Sequence, residues 1–163
     1  MHSSQRYAAV VVFLVVVAYA TVAALQILVW NPLAAVPGMT LGQIRHAMEE
    51  ASESLHLAPV IIVLGLGVVL TAVLVTWMVR AGGAVVHVAL LGLALLACGG
   101  PAYFLASFNA GMSLGDSLVE SGGDVAPWGA VLLQISLAAF LAFWLVLLWR
   151  AGAKVARRRG IRG

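Results

Sequence analysis

Five histidine and carboxylate side chains have the spacing of a divalent-cation site. His46 and Glu50 are one helical turn apart, and Glu53 follows about one turn later. Asp116 and Glu120 repeat the one-turn spacing in a later segment. Carboxylates with an imidazole suit Zn²⁺ or Mn²⁺. The spacing suggests a cation site as one hypothesis. The interpretation we favour is a solvated acidic surface, because charged runs are common on surface helices.

One histidine and the single cysteine lie in long apolar runs. His87 stands near the start of such a run, where it is either an interfacial histidine or a group that acts in conduction or gating. One cysteine excludes an intrachain disulfide and a cysteine metal cluster, so Cys98 is expected to be a small buried hydrophobe.

A helix-breaking sequence interrupts the same run. Pro101 has no N–H, so the carbonyl of Ala97 loses its helical partner. The result is either a kink at which Gly99 and Gly100 admit a neighbouring helix, or a broken helix that lines a cavity. Gln134 is predicted at a similar depth, with Gln26 and Ser107 nearer the outer surface, where the three could form a small polar cluster.

The end of the chain is strongly basic. Six positive side chains follow the last apolar run: Arg150, Lys154, Arg157, Arg158, Arg159 and Arg162. Charges in this position attract anionic lipid headgroups by about 1 kcal/mol each. We expect a lipid anchor, with an acidic partner protein as the alternative and no nucleic acid as ligand.

The composition indicates the kind of domain that holds these residues in place. Of the 163 residues, 63% are hydrophobic and only 9% are charged, whereas a soluble domain carries about a quarter charged residues. We expect a single all-α membrane domain spanning 1–163. Phosphate loops, nucleophile elbows and paired metal-binding histidines are absent from the sequence, so we predict neither an enzyme nor a cofactor.

Four apolar stretches are long enough to cross a bilayer as helices, at residues 7–30, 58–79, 83–108 and 128–149. The first could instead be a signal peptide cleaved after 18–20. Its apolar run is too long for that, which favours an anchor helix.

The charges predict the orientation. All Lys and Arg except Arg45 lie on one side of the four spans, and all six acids lie on the other. By the positive-inside rule both termini are cytoplasmic. Tryptophans expected at the interfaces are Trp30, Trp77, Trp128 and Trp149. A composition rich in Ala, Val, Leu, Gly and Arg is typical of a GC-rich bacterial genome, so we expect a bacterial plasma membrane.

The two halves of the chain resemble each other. Residues 38–43 (GMTLGQ) match 111–116 (GMSLGD), Ala-Pro precedes the second and fourth spans, and Arg-Ala-Gly follows each of them. These matches predict two parallel-duplicated helical hairpins, at about 7–82 and 83–152, with 153–163 as a basic tail.

Short amphipathic helices are expected in the two outer loops. Thr40 and Gln43 form a capping box, and apolar residues then recur at helical spacing through 40–56. Residues 113–120 predict a shorter second helix. Each helix is expected to lie on the membrane or to cap the bundle.

Uncharged spans and small-residue faces favour a non-catalytic protein that packs against copies of itself or against a membrane complex. We expect Gly65 with Gly67, and Ala94 with Cys98, to form such packing faces. Two alternatives remain. The repeat and the Gly-Gly-Pro sequence favour a small-solute or ion channel or transporter. The acidic loops favour an outer-surface metal or ligand sensor.

Overall fold

The computed structural model describes residues 2–55, 57–118 and 123–160. Within these residues the chain forms six α-helices and one π-helical turn. Their bounds are α1 His2–Leu25, the π turn Gln26–Trp30, α2 Asn31–Ala35, α3 Leu41–Glu50, α4 Leu57–Arg80, α5 Val85–Ser117 and α6 Trp128–Gly160.

Four stretches are long and apolar enough to cross a membrane: Ser3–Ala35, Leu57–Arg80, Val85–Ser117 and Trp128–Arg157. The prediction of four such helices is confirmed. Of their bounds only the start of the fourth, Trp128, agrees with the prediction. In particular, α5 continues past 108 and α6 continues past 149. Hydropathy marks only the part of a helix that suits lipid. Backbone hydrogen bonding continues into polar surroundings where the residues still favour a helix.

The four long helices alternate in direction. Helices α1, α4 and α5 pack against one another, whereas α6 packs chiefly against α5 and less extensively against α1. We call the end of the bundle that carries Arg6, Arg80 and Arg150 the basic end. There the Gln5 amide donates to the carbonyl of Met78, 3.1 Å away. At the other, the acidic end, the rings of Trp30 and Trp128 pair with centroids 5.7 Å apart.

Glycines permit the closest helix contacts in α5. A Cβ added at Gly99 would lie 2.9 Å from the Tyr19 ring in α1, and one added at Gly100 would lie 3.2 Å from the Ser136 Cβ in α6. The glycine pair therefore faces two neighbours at once. Helix α5 is continuous through Pro101.

Other small residues lie elsewhere than expected. Among the residues that the structure describes, a Cβ added at Gly65 or Gly67 would meet no atom within 4 Å. Cys98 is exposed on the bundle surface. The expectation that Cys98 is buried was wrong, and Gly65 and Gly67 face no neighbouring helix among the described residues. Helical spacing shows that residues share a face but not which face meets a neighbour.

Helix α3 covers the acidic end of the bundle. The capping box predicted at Thr40 and Gln43 is present. Ile44 and Met48 are both fully buried in the main apolar cluster. The helix is shorter than predicted, since it ends at Glu50 and Ser52 follows with a φ of 62°. His56 lies outside the described residues.

The second predicted loop helix is not a separate element. Residues 111–117 form the last turns of α5, and 119–122 lie outside the described residues. The two copies of the repeated motif differ in conformation, because Gly38 adopts a φ of +90° in a turn while its counterpart Gly111 is helical.

Candidate functional site

The most extensive group of polar contacts joins α1 to the segment that leads into α6. Asn31 accepts hydrogen bonds at its Oδ1 from the backbone N–H groups of Val125 and Ala126, at 2.7 and 3.2 Å. Its Nδ2 donates to the carbonyl of Gly123 at 3.4 Å. One buried amide thus satisfies three backbone groups of a segment that has no regular structure of its own.

The π turn positions the second amide of this group. The Asn31 backbone N–H bonds to the Gln26 carbonyl, five residues earlier, which places both side chains on the same side of the helix. The Gln26 Nε2 donates to the carbonyl of Ala126 at 3.0 Å. Pro32 follows and has no N–H for the carbonyl of Leu28, so the regular helical ladder is interrupted at this turn.

Tyr103 of α5 completes the group. Its buried hydroxyl donates to the Asp124 carboxylate at 2.6 Å, a charge-assisted hydrogen bond. The Gln26 side chain lies beside the same hydroxyl. A Cβ added at Gly129, in the first turn of α6, would collide with Asp124 and Tyr103. The carboxylate therefore fits only because Gly129 has no side chain, and it lies where the helix dipole favours negative charge.

A second hydrogen-bonded group lies deeper between the helices. The Tyr19 hydroxyl is 3.0 Å from the Ser136 Oγ and donates to the carbonyl of Leu132 at 3.3 Å. Together the two groups place polar atoms along α1, α5 and α6 from Asp124 toward the middle of the bundle. We call these side chains the polar network: Tyr19, Gln26, Asn31, Tyr103, Asp124 and Ser136.

One atom of the polar network is unsatisfied. Gln26 is 0% exposed, and its Oε1 has no hydrogen-bond partner within the described part of the chain. Beside the network a cavity of about 370 Å³ opens at the acidic end, lined by Asn31 and Asp124 together with Ser107, Phe104 and other apolar residues. Gln26 does not line this cavity, so the Asp124 carboxylate is the group that can accept a hydrogen bond there from a small polar molecule, while the apolar lining contacts the rest of that molecule.

The residues predicted to bind a cation are not brought together in the described chain. His46 Nδ1 lies 3.3 Å from Glu50 Oε1, and both side chains are more than 70% exposed. Within residues 2–55, 57–118 and 123–160, no group of three or more His, Cys, Asp or Glu side chains is placed to hold a metal ion. Asp116 is exposed near the end of α5, and Glu120 lies outside the described residues. The cation site stays a prediction.

The polar residues predicted inside the spans separate in space. Gln26 is buried, whereas Gln134 is exposed on α6 and Ser107 donates to the carbonyl of Phe104 in its own helix. His87 is exposed in the first turn of α5, beside a groove that Trp77 and Phe143 also line.

The basic tail is mostly helical. Arg150, Lys154 and Arg157 lie on α6, which continues through Arg158 and Arg159 to Gly160. Arg162 lies outside the described residues.

Sequence reasoning missed most of the polar network. Asn31-Pro32 is a recognisable break at the end of an apolar run, and it was the available signal for the π turn. Tyr19 and Tyr103 carry no such signal, because tyrosines in apolar spans commonly pack through their rings. Asp124 was counted only as one acid of the outer face.

Comparison with family models, curated proteins and solved structures finds no match for this chain. The fold and the site therefore define only a broad class, that of all-helical proteins with four helices able to span a membrane.

Proposed function

We propose that this chain is a non-catalytic multi-pass membrane protein that acts through helix packing, and that its first partner is a second copy of itself. The observation that carries the proposal is Gln134. This residue lies fewer than two turns from the start of α6 and is exposed on the outside of the bundle. Its side chain makes no hydrogen bond within the described residues.

An amide in that position is costly for an isolated chain in lipid. Hydrocarbon offers no hydrogen-bond partner, and an unsatisfied amide in an apolar medium costs roughly 2–7 kcal/mol. A partner helix that supplies a donor and an acceptor removes this cost.

The surroundings of Gln134 favour a second copy as that partner. Ala130 and Ala138 lie one turn to either side of it and are also exposed, and Leu141 follows on the same face. Small side chains allow two helix backbones to approach closely. A carboxamide both donates and accepts, so two copies related by a two-fold axis can exchange hydrogen bonds between their Gln134 side chains. We call Ala130, Gln134, Ala138 and Leu141 the Gln134 face.

The charge distribution supports the orientation that goes with this proposal. Arg6, Arg80 and Arg150 lie at the basic end, which we place in the cytoplasm together with both termini. Helix α3 and the acidic residues then face outward. A bacterial plasma membrane fits the composition. The packing of α4 on α1 and of α6 on α5 supports a duplicated hairpin.

The proposal is tested by measuring association of the full chain in lipid bilayers. We expect a dimer, and we expect Gln134→Leu to weaken association by about three- to twentyfold, the range that interhelical hydrogen bonds in membranes provide. Thr21→Val is the matched control, because the Thr21 hydroxyl is exposed but bonds to the carbonyl of Val17 in its own helix. A monomeric parent chain, or an unchanged dimer in Gln134→Leu, would contradict the proposal.

A small-solute channel or transporter is the second candidate, and the polar network favours it. Polar groups reach from Asp124 at the acidic end to Ser136 inside the bundle, and Gln26 keeps one free acceptor. Solute flux into proteoliposomes that is lost in both Tyr19→Phe and Tyr103→Phe would support transport and displace the packing proposal.

A further inference from the structure

Three cations at the basic end are held on one face of a rigid helix. Because α6 continues to Gly160 without a break, Arg150, Lys154 and Arg157 occur at spacings of four and three residues. These spacings place side chains on the same side of a helix. The positive charges therefore form a stripe that the helix positions, instead of a loose cluster in a tail.

The stripe lines a groove between two helices. Arg150, Lys154 and Arg157 border a groove of about 690 Å³ together with Trp149 and with Val86 from the start of α5. Arg150 is partly buried, and the other two cations are exposed. Within the described residues no acidic side chain lines the groove. The ion pair between His46 and Glu50 lies on α3, at the opposite end of the bundle.

Apolar side chains continue the helix face that carries the stripe. Val146 and Leu147 lie four and three residues before Arg150 and are partly exposed, and Trp149, which lines the groove, is 75% exposed. An exposed tryptophan between apolar and charged residues is typical of the interface between hydrocarbon and headgroups. A ligand in the groove thus contacts positive charge at one end and hydrocarbon-facing side chains at the other.

We infer that this groove is a binding site for an anionic phospholipid of the leaflet at the basic end. The phosphate lies between Arg150, Lys154 and Arg157, with the guanidinium groups donating paired hydrogen bonds and Lys154 acting as a point charge. The acyl chains follow Trp149, Val146 and Leu147. A free phosphate ion or an acidic peptide offers the same charge but has no apolar part for that surface. The inference does not depend on self-association.

The site is tested on the full chain by native mass spectrometry with phosphatidylglycerol, and with phosphatidylcholine as the neutral lipid. We expect selective retention of phosphatidylglycerol. Arg150→Gln and Lys154→Gln should each weaken its binding about fivefold, which corresponds to the loss of about 1 kcal/mol from one charge that lies against the bound headgroup.

Arg80→Gln is the matched control. It removes the same charge from the same end, but Arg80 lies at the end of α4 and does not line the groove. We expect less than a twofold effect. Equal losses in Arg80→Gln and Lys154→Gln would overturn the inference, because net charge alone would then explain binding. Helix content measured in phosphatidylcholine confirms that each variant is folded.

Competition with inorganic phosphate distinguishes a phospholipid headgroup from a free phosphate ion as the bound anion. We expect millimolar phosphate not to displace bound phosphatidylglycerol, because the apolar contacts are missing. Displacement, or equal retention of phosphatidylcholine, would overturn the assignment to an anionic lipid. Gln134→Leu should leave lipid binding unchanged, which keeps this result separate from that of the association experiment.

Discussion

At the scale of single residues, buried amides and hydroxyls organise the acidic end of this apolar chain. Asn31 and Gln26 bind the backbone of residues 123–126, and Tyr103 binds Asp124. Regular helix packing cannot satisfy these backbone groups, because the segment before α6 is not helical. The polar side chains of α1 and α5 take over that role.

Removing the hydroxyl of Tyr103 should loosen this segment. Tyr103 is 2% exposed, and a hydrogen bond to a carboxylate is stronger than one between neutral groups. Because Asp124 is itself exposed, solvent weakens this bond. We expect Tyr103→Phe to lower the free energy of unfolding by about 1–2 kcal/mol. Denaturant unfolding in detergent micelles measures this change. Tyr7→Phe is the control, since Tyr7 is 73% exposed. An equal effect of both substitutions would show that the bond to Asp124 contributes nothing.

The environment of single polar residues is also what the sequence predicts least well. Gln26 and Gln134 are the same residue type in similar apolar surroundings, yet one is buried among partners and the other faces outward. Local sequence does not contain that difference, because it depends on which side of each helix the neighbours occupy.

At the scale of elements, glycine placement determines how closely the helices approach. Gly99 lies against the Tyr19 ring, which cannot move freely because its hydroxyl contacts Ser136 and Leu132. Gly65, also in the middle of a long helix, has open space where a Cβ would lie. Gly99 therefore allows close helix packing, whereas Gly65 affects only the backbone conformation of its own helix.

Substitution of these glycines should therefore have opposite effects. We expect Gly99→Ala to destabilise the chain by about 1–3 kcal/mol through overpacking. Gly65→Ala should be neutral, or stabilising by up to about 1 kcal/mol, because alanine favours helix more than glycine does. Thermal unfolding of the two variants side by side measures the difference. Equal stability of the two variants would contradict the tight contact at Gly99.

At the scale of the whole molecule, charge and packing are both asymmetric. Within the described residues, every Lys and Arg except Arg45 lies at one end of the long helices, and α3 covers the other end. Helix α6 lies against α5 and leaves much of its surface uncovered. This position exposes the Gln134 face, and the extension of α6 beyond the apolar part carries the cationic stripe.

The proposed orientation can be read by cysteine labelling in intact cells. In a Cys98→Ala background, an impermeant maleimide should label Glu49→Cys on α3 directly, because this exposed position is assigned to the outside. Ser3→Cys, also exposed, should react only after the membrane is permeabilised. The cysteine-free parent reports background labelling. The reverse pattern would place the basic end outside and overturn the orientation.

The sequence by itself determined the number of long apolar helices, the segregation of charge and the capping box that begins α3. Each of these properties follows from composition or from contacts within a few residues, so the pattern alone is enough. The two copies of the repeated motif show the limit of such reasoning, since 38–40 form a turn at Gly38 and an extended N-cap at Thr40, whereas 111–113 are helical.

Only the tertiary structure decided which face of each helix is covered. It brought Tyr103 to Asp124, placed Gly99 under Tyr19, left Cys98 and Gln134 on the surface and aligned Arg150, Lys154 and Arg157 along one groove. In spans that are apolar all round, hydrophobic periodicity does not distinguish a face that meets lipid from one that meets protein. Close packing and hydrogen bonds between distant residues make that distinction.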